Sequence, residues 1–165
     1  MDSVDPKTYL TFGPWIYLVP QYKPYSVLIL GYGQGTVAGY IRMFYDDVRI
    51  TGVDKKYTKA DDLWGGNSAL IHMDVREYFH IFRCMKFDCL IIDLWEDYVP
   101  CPFIFEIDFV EQVFPKCNYL ILHATDQDDI STYIKYGYKL RTIEFSYHRF
   151  HYFIVGDCSR LPVRW

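Results

Sequence analysis

Val27 to Thr36 reads VLILGYGQGT: four apolar residues in a row, then glycines at 31, 33 and 35, then a threonine. An uninterrupted run such as VLIL fits a strand buried on both faces, as in a parallel sheet. The residues from Thr36 to Tyr45 read as a helix. A glycine-rich turn between strand and helix lets the backbone take positive φ. It also admits a ligand close to the main chain, with the free N–H groups of the helix start beyond it. A ligand is therefore expected over Gly31, Gly33 and Gly35.

Outward from this turn, β-rich runs alternate with helical stretches, the signature of βαβ units. Further strands are expected at Val48–Val53, Ala69–Met73, Cys89–Ile92 and Tyr119–Leu122. Helices are expected at Arg76–Cys84, where Tyr78, Phe79 and Phe82 make an apolar face, at Phe103–Phe114 before Pro115, and at Asp128–Tyr136 before Gly137. Leu140–Tyr147 and Phe150–Val155 are separated only by His148 and Arg149, so they must pair antiparallel. The expected fold is α/β and Rossmann-like: five parallel strands plus a C-terminal antiparallel hairpin, with helices on both faces. The 165 residues suit a single domain, 1–165, in which 1–25 form a short lead segment.

A net charge of −4 argues against general affinity for nucleic-acid backbones. No window reaches the roughly 18 apolar residues of a membrane span, and MDSVDPK lacks the basic and apolar regions of a signal peptide, so a cytoplasmic location is expected. The five cysteines show no C-x-x-C spacing and read as free, mostly buried thiols. No H-x-x-x-H or H-x-H grouping suggests a metal.

The second, third and fourth strands are each followed within one or two residues by an acid: Asp54, Asp74 and Asp93. All three fall at the carboxyl edge, where open α/β sheets bind ligands. Asp54 is placed to accept from ribose hydroxyls, and Asp74 to meet an adenine amino group. A nicotinamide site fits less well, because its third glycine comes three residues after the second and Thr36 stands there instead.

VLILGYGQGT, ITGVD, HMDVREYF and KFDCLIIDLWED, followed by a closing hairpin, resemble the class I S-adenosylmethionine-dependent methyltransferase fold over essentially the whole chain. Within that superfamily the motif detail is most similar to the spermidine synthases, the polyamine aminopropyltransferases. The resemblance implies S-adenosylmethionine, or its decarboxylated form, as cofactor. It sets Gly31, Gly33 and Gly35 against the methionine part, Asp54 on the ribose, Asp74 with Val75 on the adenine, and Asp93 beside the reacting sulfonium. There are departures from the spermidine synthase pattern. Tyr32 and Gln34 replace two glycines of the turn, the acid after Asp93 falls at Glu96 or one residue late at Asp97, and about 25 residues stand where polyamine synthases carry an N-terminal β-domain.

Displacement at a sulfonium needs alignment of nucleophile and cofactor, and a base only where the nucleophile must lose a proton. Asp93 is the candidate base. Glu96 and Asp97 form an acidic rim suited to a cationic amine, while Trp95 either stacks on a substrate or covers the sheet edge. His123 borders the expected pocket, either as an acid/base group or as a hydrogen-bonded structural residue. The Asp-Pro-Pro-Tyr motif of base-amine methylation and the Lys-Asp-Lys-Glu set of ribose methylation are absent, and Pro100-Cys101 falls too far beyond Asp93 for a cytosine-C5 nucleophile. The expectation is methyl transfer to a small-molecule, small or cationic acceptor. Aminopropyl transfer and a catalytically inactive scaffold remain as alternatives. A homodimer is expected through Phe145–Phe153 or Tyr9–Tyr22.

Overall fold

The computed structural model describes residues 14–56, 67–125, 128–136, 139–143 and 151–157. A 3-10 turn, Pro14–Leu18, precedes β1 (Ser26–Leu30), α1 (Thr36–Phe44), β2 (Arg49–Asp54), β3 (Ser68–His72), α2 (Val75–Ile81) and β4 (Phe87–Ile92). A two-residue ribbon follows, β5 (Trp95–Glu96) and β6 (Val99–Pro100), then α3 (Ile107–Val113), β7 (Cys117–Thr125), α4 (Ser131–Lys135), β8 (Lys139–Ile143) and β9 (His151–Asp157). The main sheet runs β3-β2-β1-β4-β7-β9-β8. Its first five strands are parallel, and β9 lies antiparallel between β7 and β8.

The alternation of side chains along a strand explains why VLIL is apolar throughout. Leu28 and Leu30 point into one buried cluster with residues of α2, α3 and α4, while Val27 and Ile29 point into a second, roofed by α1 and Leu18. Each central strand thus serves two cores, and a polar residue at any of these positions would be buried without a partner, as expected for a sheet covered on both faces.

Several bounds differ from the sequence expectation for physical reasons. The expected helix at Phe103–Phe114 is broken into a 3-10 turn at Pro102–Phe105, α3, and a second 3-10 turn at Phe114–Lys116. Glu106, extended at φ −77° and ψ 144°, makes the break. The expected helix from Asp128 starts later, at Ser131, because the Asp128 carboxylate turns back to accept from the N–H and hydroxyl of Thr125 at 2.6 and 2.8 Å. β7 outruns its expected end at Leu122 because β9 pairs with it as far as Thr125. The expected helices at Thr36–Tyr45 and Arg76–Cys84 end at Phe44 and Ile81. The hairpin pairs antiparallel as expected, from Ile143 opposite His151 to Lys139 opposite Val155. Its expected turn at His148 and Arg149 lies outside the described residues.

Candidate functional site

The carboxyl ends of β1, β2, β4 and β7 open onto one cleft of about 980 Å³, at the upper end of the roughly 300–1,000 Å³ usual for ligand sites. The three glycines of the turn have separate duties. Gly31, at φ 85°, lies so close to the end of β4 that a Cβ would sit 2.2 Å from the carbonyl oxygen of Asp93. Gly33, at φ 54°, has no atom within 4 Å of where its Cβ would be, so its flank is open. Gly35 caps α1 and does not line the cleft, contrary to the sequence expectation, because its N–H is turned back to the carbonyl of Tyr32 at 2.9 Å.

Tyr32, which departs from the glycine pattern, is buried at 4% exposure. Its ring lies over Gly52 of β2, where a Cβ would meet ring carbon Cδ2 at 2.2 Å. The bulky replacement thus packs its ring against the sheet while Tyr32 still borders the cleft, and the flank of Gly33 stays open.

Asp54 lines the cleft at the end of β2. One carboxylate oxygen accepts from the N–H of Gly33 and the other from the N–H of Lys56, both at 2.8 Å. It therefore ties the glycine turn to the loop after β2, and leaves further lone pairs for a ligand. Asp74 caps α2 by accepting from the N–H of Arg76 at 2.9 Å and is clasped by the Arg76 guanidinium at 3.1 and 3.0 Å. That guanidinium holds the Asp74 carboxyl below its ordinary range, and it sits 4.7 Å from the centre of the Phe103 ring. Val75 lines the cleft beside Asp74 and is otherwise buried.

Across the cleft, Asp93 Oδ1 meets Nδ1 of His123 at 2.9 Å, with side chains 11% and 4% exposed. The Trp95 ring tilts over that imidazole at 4.6 Å between centroids. Trp95 therefore packs on His123 while lining the cleft. Glu96 lines the rim but is ion-paired with Lys55, which lowers the Glu96 carboxyl and raises the Lys55 ammonium. Asp97 does not line the cleft, contrary to the sequence expectation. With Tyr98 it forms the left-handed two-residue turn of the β5–β6 ribbon, at φ 50° and 65°, and Tyr98 takes the place at the rim. Cys101 lines the cleft, but burial pushes its thiol up, which suits a structural role and not a nucleophile.

His123, expected from the sequence to border the pocket as an acid/base group or a structural residue, is the partner of Asp93, and the pairing was readable from the strand register. β4 and β7 pair with Ile92 opposite Leu122, so Asp93 and His123 are the next step in that register. Among the described residues no group of three or more His, Cys, Asp and Glu could hold a metal ion, and no helix is long and apolar enough to cross a membrane.

No protein-family model matches the chain, and no curated protein matches its sequence. Solved structures match its shape. Human methyltransferase-like protein 13, in complex with SAH, superposes with a TM-score of 0.65 at 15% identity, covering 91% of this chain and 78% of that one. The precorrin-6y C5,15-methyltransferase of Geobacter metallireducens gives 0.61 at 12% identity, over 86% and 84% of the two chains. A probable spermidine synthase of Corynebacterium glutamicum gives 0.64 at 15% identity, over 80% of this chain and 55% of that one. The strand order and these superpositions give the chain the class I methyltransferase fold.

Proposed function

We propose that this protein binds S-adenosylmethionine in the cleft and transfers its methyl group to a small-molecule acceptor. The observation that carries this reading is the open flank of Gly33, set beside Asp54 and facing the Asp93–His123 pair across one cleft. A left-handed turn with space beside it, an acid at the end of the second strand and a polar pair at the end of the fourth are the parts that such a ligand needs. Bound there, S-adenosylmethionine supplies a methyl group activated by its sulfonium.

The chain's own residues bind and orient. The turn from Gly31 to Gly33 takes the methionine end and Asp54 accepts from the ribose hydroxyls. Asp74 and Val75 border the adenine, with the Arg76 guanidinium clasped to Asp74 at the cleft wall. Trp95 and Tyr98 shape the acceptor side. The acidic rim that would favour a polyamine is weakened here, since the Glu96 carboxylate is ion-paired with Lys55 and Asp97 stands in a turn. That supports methyl over aminopropyl transfer.

Titration calorimetry with S-adenosylmethionine, S-adenosylhomocysteine and decarboxylated S-adenosylmethionine tests the reading. The first two are expected to bind with similar affinity. Asp54→Ala is expected to weaken both about 5- to 150-fold, the equivalent of roughly 1–3 kcal/mol for hydroxyls left unpaired. Preference for the decarboxylated form, or no binding by the native chain, overturns it.

A further inference from the structure

Resting on the reading above, we infer that the acceptor side of the cleft takes a flat aromatic molecule, and that Tyr98, at the tip of the β5–β6 ribbon, is the residue that selects it.

Five aromatic side chains line the cleft among the described residues: Trp15, Tyr32, Trp95, Tyr98 and Phe103. Four of them are engaged by the protein itself. Trp15 packs against the cluster roofed by α1, the Tyr32 ring lies over Gly52, and Trp95 tilts over His123. Phe103 has the Arg76 guanidinium 4.7 Å from its ring centre and the Phe109 ring edge-on at 5.3 Å. Tyr98 is the exception. It borders the cleft and is nevertheless 92% exposed, and no ring or cation of the described residues is paired with it.

The backbone points the same way. Tyr98 holds φ 65° as the second residue of a two-residue turn, a place that glycine takes by default because a left-handed backbone crowds a Cβ against the chain. A bulky residue there costs free energy, and such outliers gather at ligand clamps. Packing within the ribbon does not offset that cost, since the ring stands in solvent. A ligand laid on the ring does.

Charge narrows the class of ligand. The electron-rich face of a tyrosine ring attracts cations as well as other rings, but Lys55, Lys56 and Arg76 line the same cleft. Glu96, the acid of the ribbon that faces the cleft, is ion-paired with Lys55. A cationic acceptor would meet like charge, whereas a flat neutral ring meets an aromatic face. A saturated apolar molecule gains only through the area it buries, while a flat ring adds an offset-stacked or edge-on contact.

Titration calorimetry on the full chain tests the inference with three probes: 2-naphthol, its fully saturated counterpart decahydro-2-naphthol, and putrescine. S-adenosylhomocysteine is kept at saturation so that no probe enters the adenine side. The native chain is expected to prefer 2-naphthol over both others. Its preference over the saturated skeleton is expected to shrink about 2- to 13-fold in Tyr98→Leu, which keeps an apolar side chain without a ring, and to persist in Tyr98→Phe. Tyr98→Gly removes the ring and the backbone strain together, so it should lose the preference while melting no lower than the native chain. A preference that survives Tyr98→Leu, putrescine bound as tightly as 2-naphthol, or a lower melting temperature for Tyr98→Gly overturns the inference. So does a native chain that binds S-adenosylhomocysteine and ignores 2-naphthol; if light scattering then shows a mass that halves in Tyr98→Gly, the ring belongs to a contact between copies of the chain. A native chain that binds no S-adenosylhomocysteine sinks the underlying reading instead, and this inference with it.

Discussion

Replacing Gly52 by alanine places a methyl group where the Tyr32 ring already lies. The new Cβ would stand 2.2 Å from Cδ2, 2.7 Å from Cγ and 2.9 Å from Cε2 of that ring. The nearest atoms are the base of the ring, and the residue is 4% exposed, so the side chain has little freedom to swing aside. Overpacking of this kind costs about 1–3 kcal/mol. For a chain of 165 residues, at about 2–4 °C per kcal/mol, the melting temperature should fall by roughly 2–12 °C. The assay is thermal unfolding by circular dichroism of a double-mutant cycle. In a Tyr32→Ala background the obstacle is gone, so Gly52→Ala should then cost under about 0.5 kcal/mol, and the coupling should nearly equal the single-variant loss. A loss that is the same with and without the Tyr32 ring would refute the packing of Tyr32 over β2, and with it the account of how the flank of Gly33 stays open.

Gly33→Val should abolish S-adenosylhomocysteine binding in calorimetry, because a branched side chain resists φ 54° and fills the open flank; normal binding would leave the turn with a folding role alone. The Asp74 carboxyl, lowered chiefly by its hydrogen bond from Arg76, contributes stability that is fully present above the ordinary carboxylate range and is lost as pH falls through the lowered value. Arg76→Met should therefore lower the neutral plateau of a melting-temperature profile and flatten its acid limb below about pH 4, so that the two proteins converge in acid, and an unchanged limb would count against the clasp. The chain is further proposed to form a homodimer. Light scattering after size exclusion should then give twice 19.7 kDa, and a single-chain mass at all micromolar concentrations would rule the dimer out.

The strands and the turn were legible because burial on both faces and a left-handed backbone each leave a local mark: VLIL for the one, three alternating glycines for the other. The acids at the carboxyl edge were legible for the same reason, since position after a strand fixes position in the sheet. What was not legible depended on pairing across the chain. His123 was read as bordering the pocket, but its bond to Asp93, 30 residues earlier, was not, because only the β4–β7 register brings the two together. The β5–β6 ribbon escaped notice because its strands are two residues long and its turn, Asp97-Tyr98, lacks the glycine that usually announces such a turn. Glu96 read as a free acid because nothing local to it predicts Lys55, which arrives from the loop after β2. The break at Glu106 was hidden because helical periodicity continues across it.

The contact between Gly31 and the carbonyl of Asp93 has a consequence for how such a protein can change. Backbone abuts backbone there, and the neighbouring bonds, Gly31 N–H to the Val53 carbonyl at 2.9 Å and Asp93 N–H to the Leu30 carbonyl at 2.8 Å, join three strand ends into one block. The distance from the glycine turn to Asp93 is thus set by the sheet, with no side chain in between to adjust it. Mutation has little purchase on that spacing, so inherited variation that leaves a working protein must fall elsewhere. In the ribbon from Trp95 to Pro100 the base is anchored by Trp95 on His123, whereas the tip from Glu96 to Tyr98 is held to its neighbour at the rim by an exposed ion pair of the kind worth at most about 1 kcal/mol. On the proposed methyl-transfer reading, new acceptor preferences should arise there first, in a tip that can be exchanged while the frame of strand ends stays as it is.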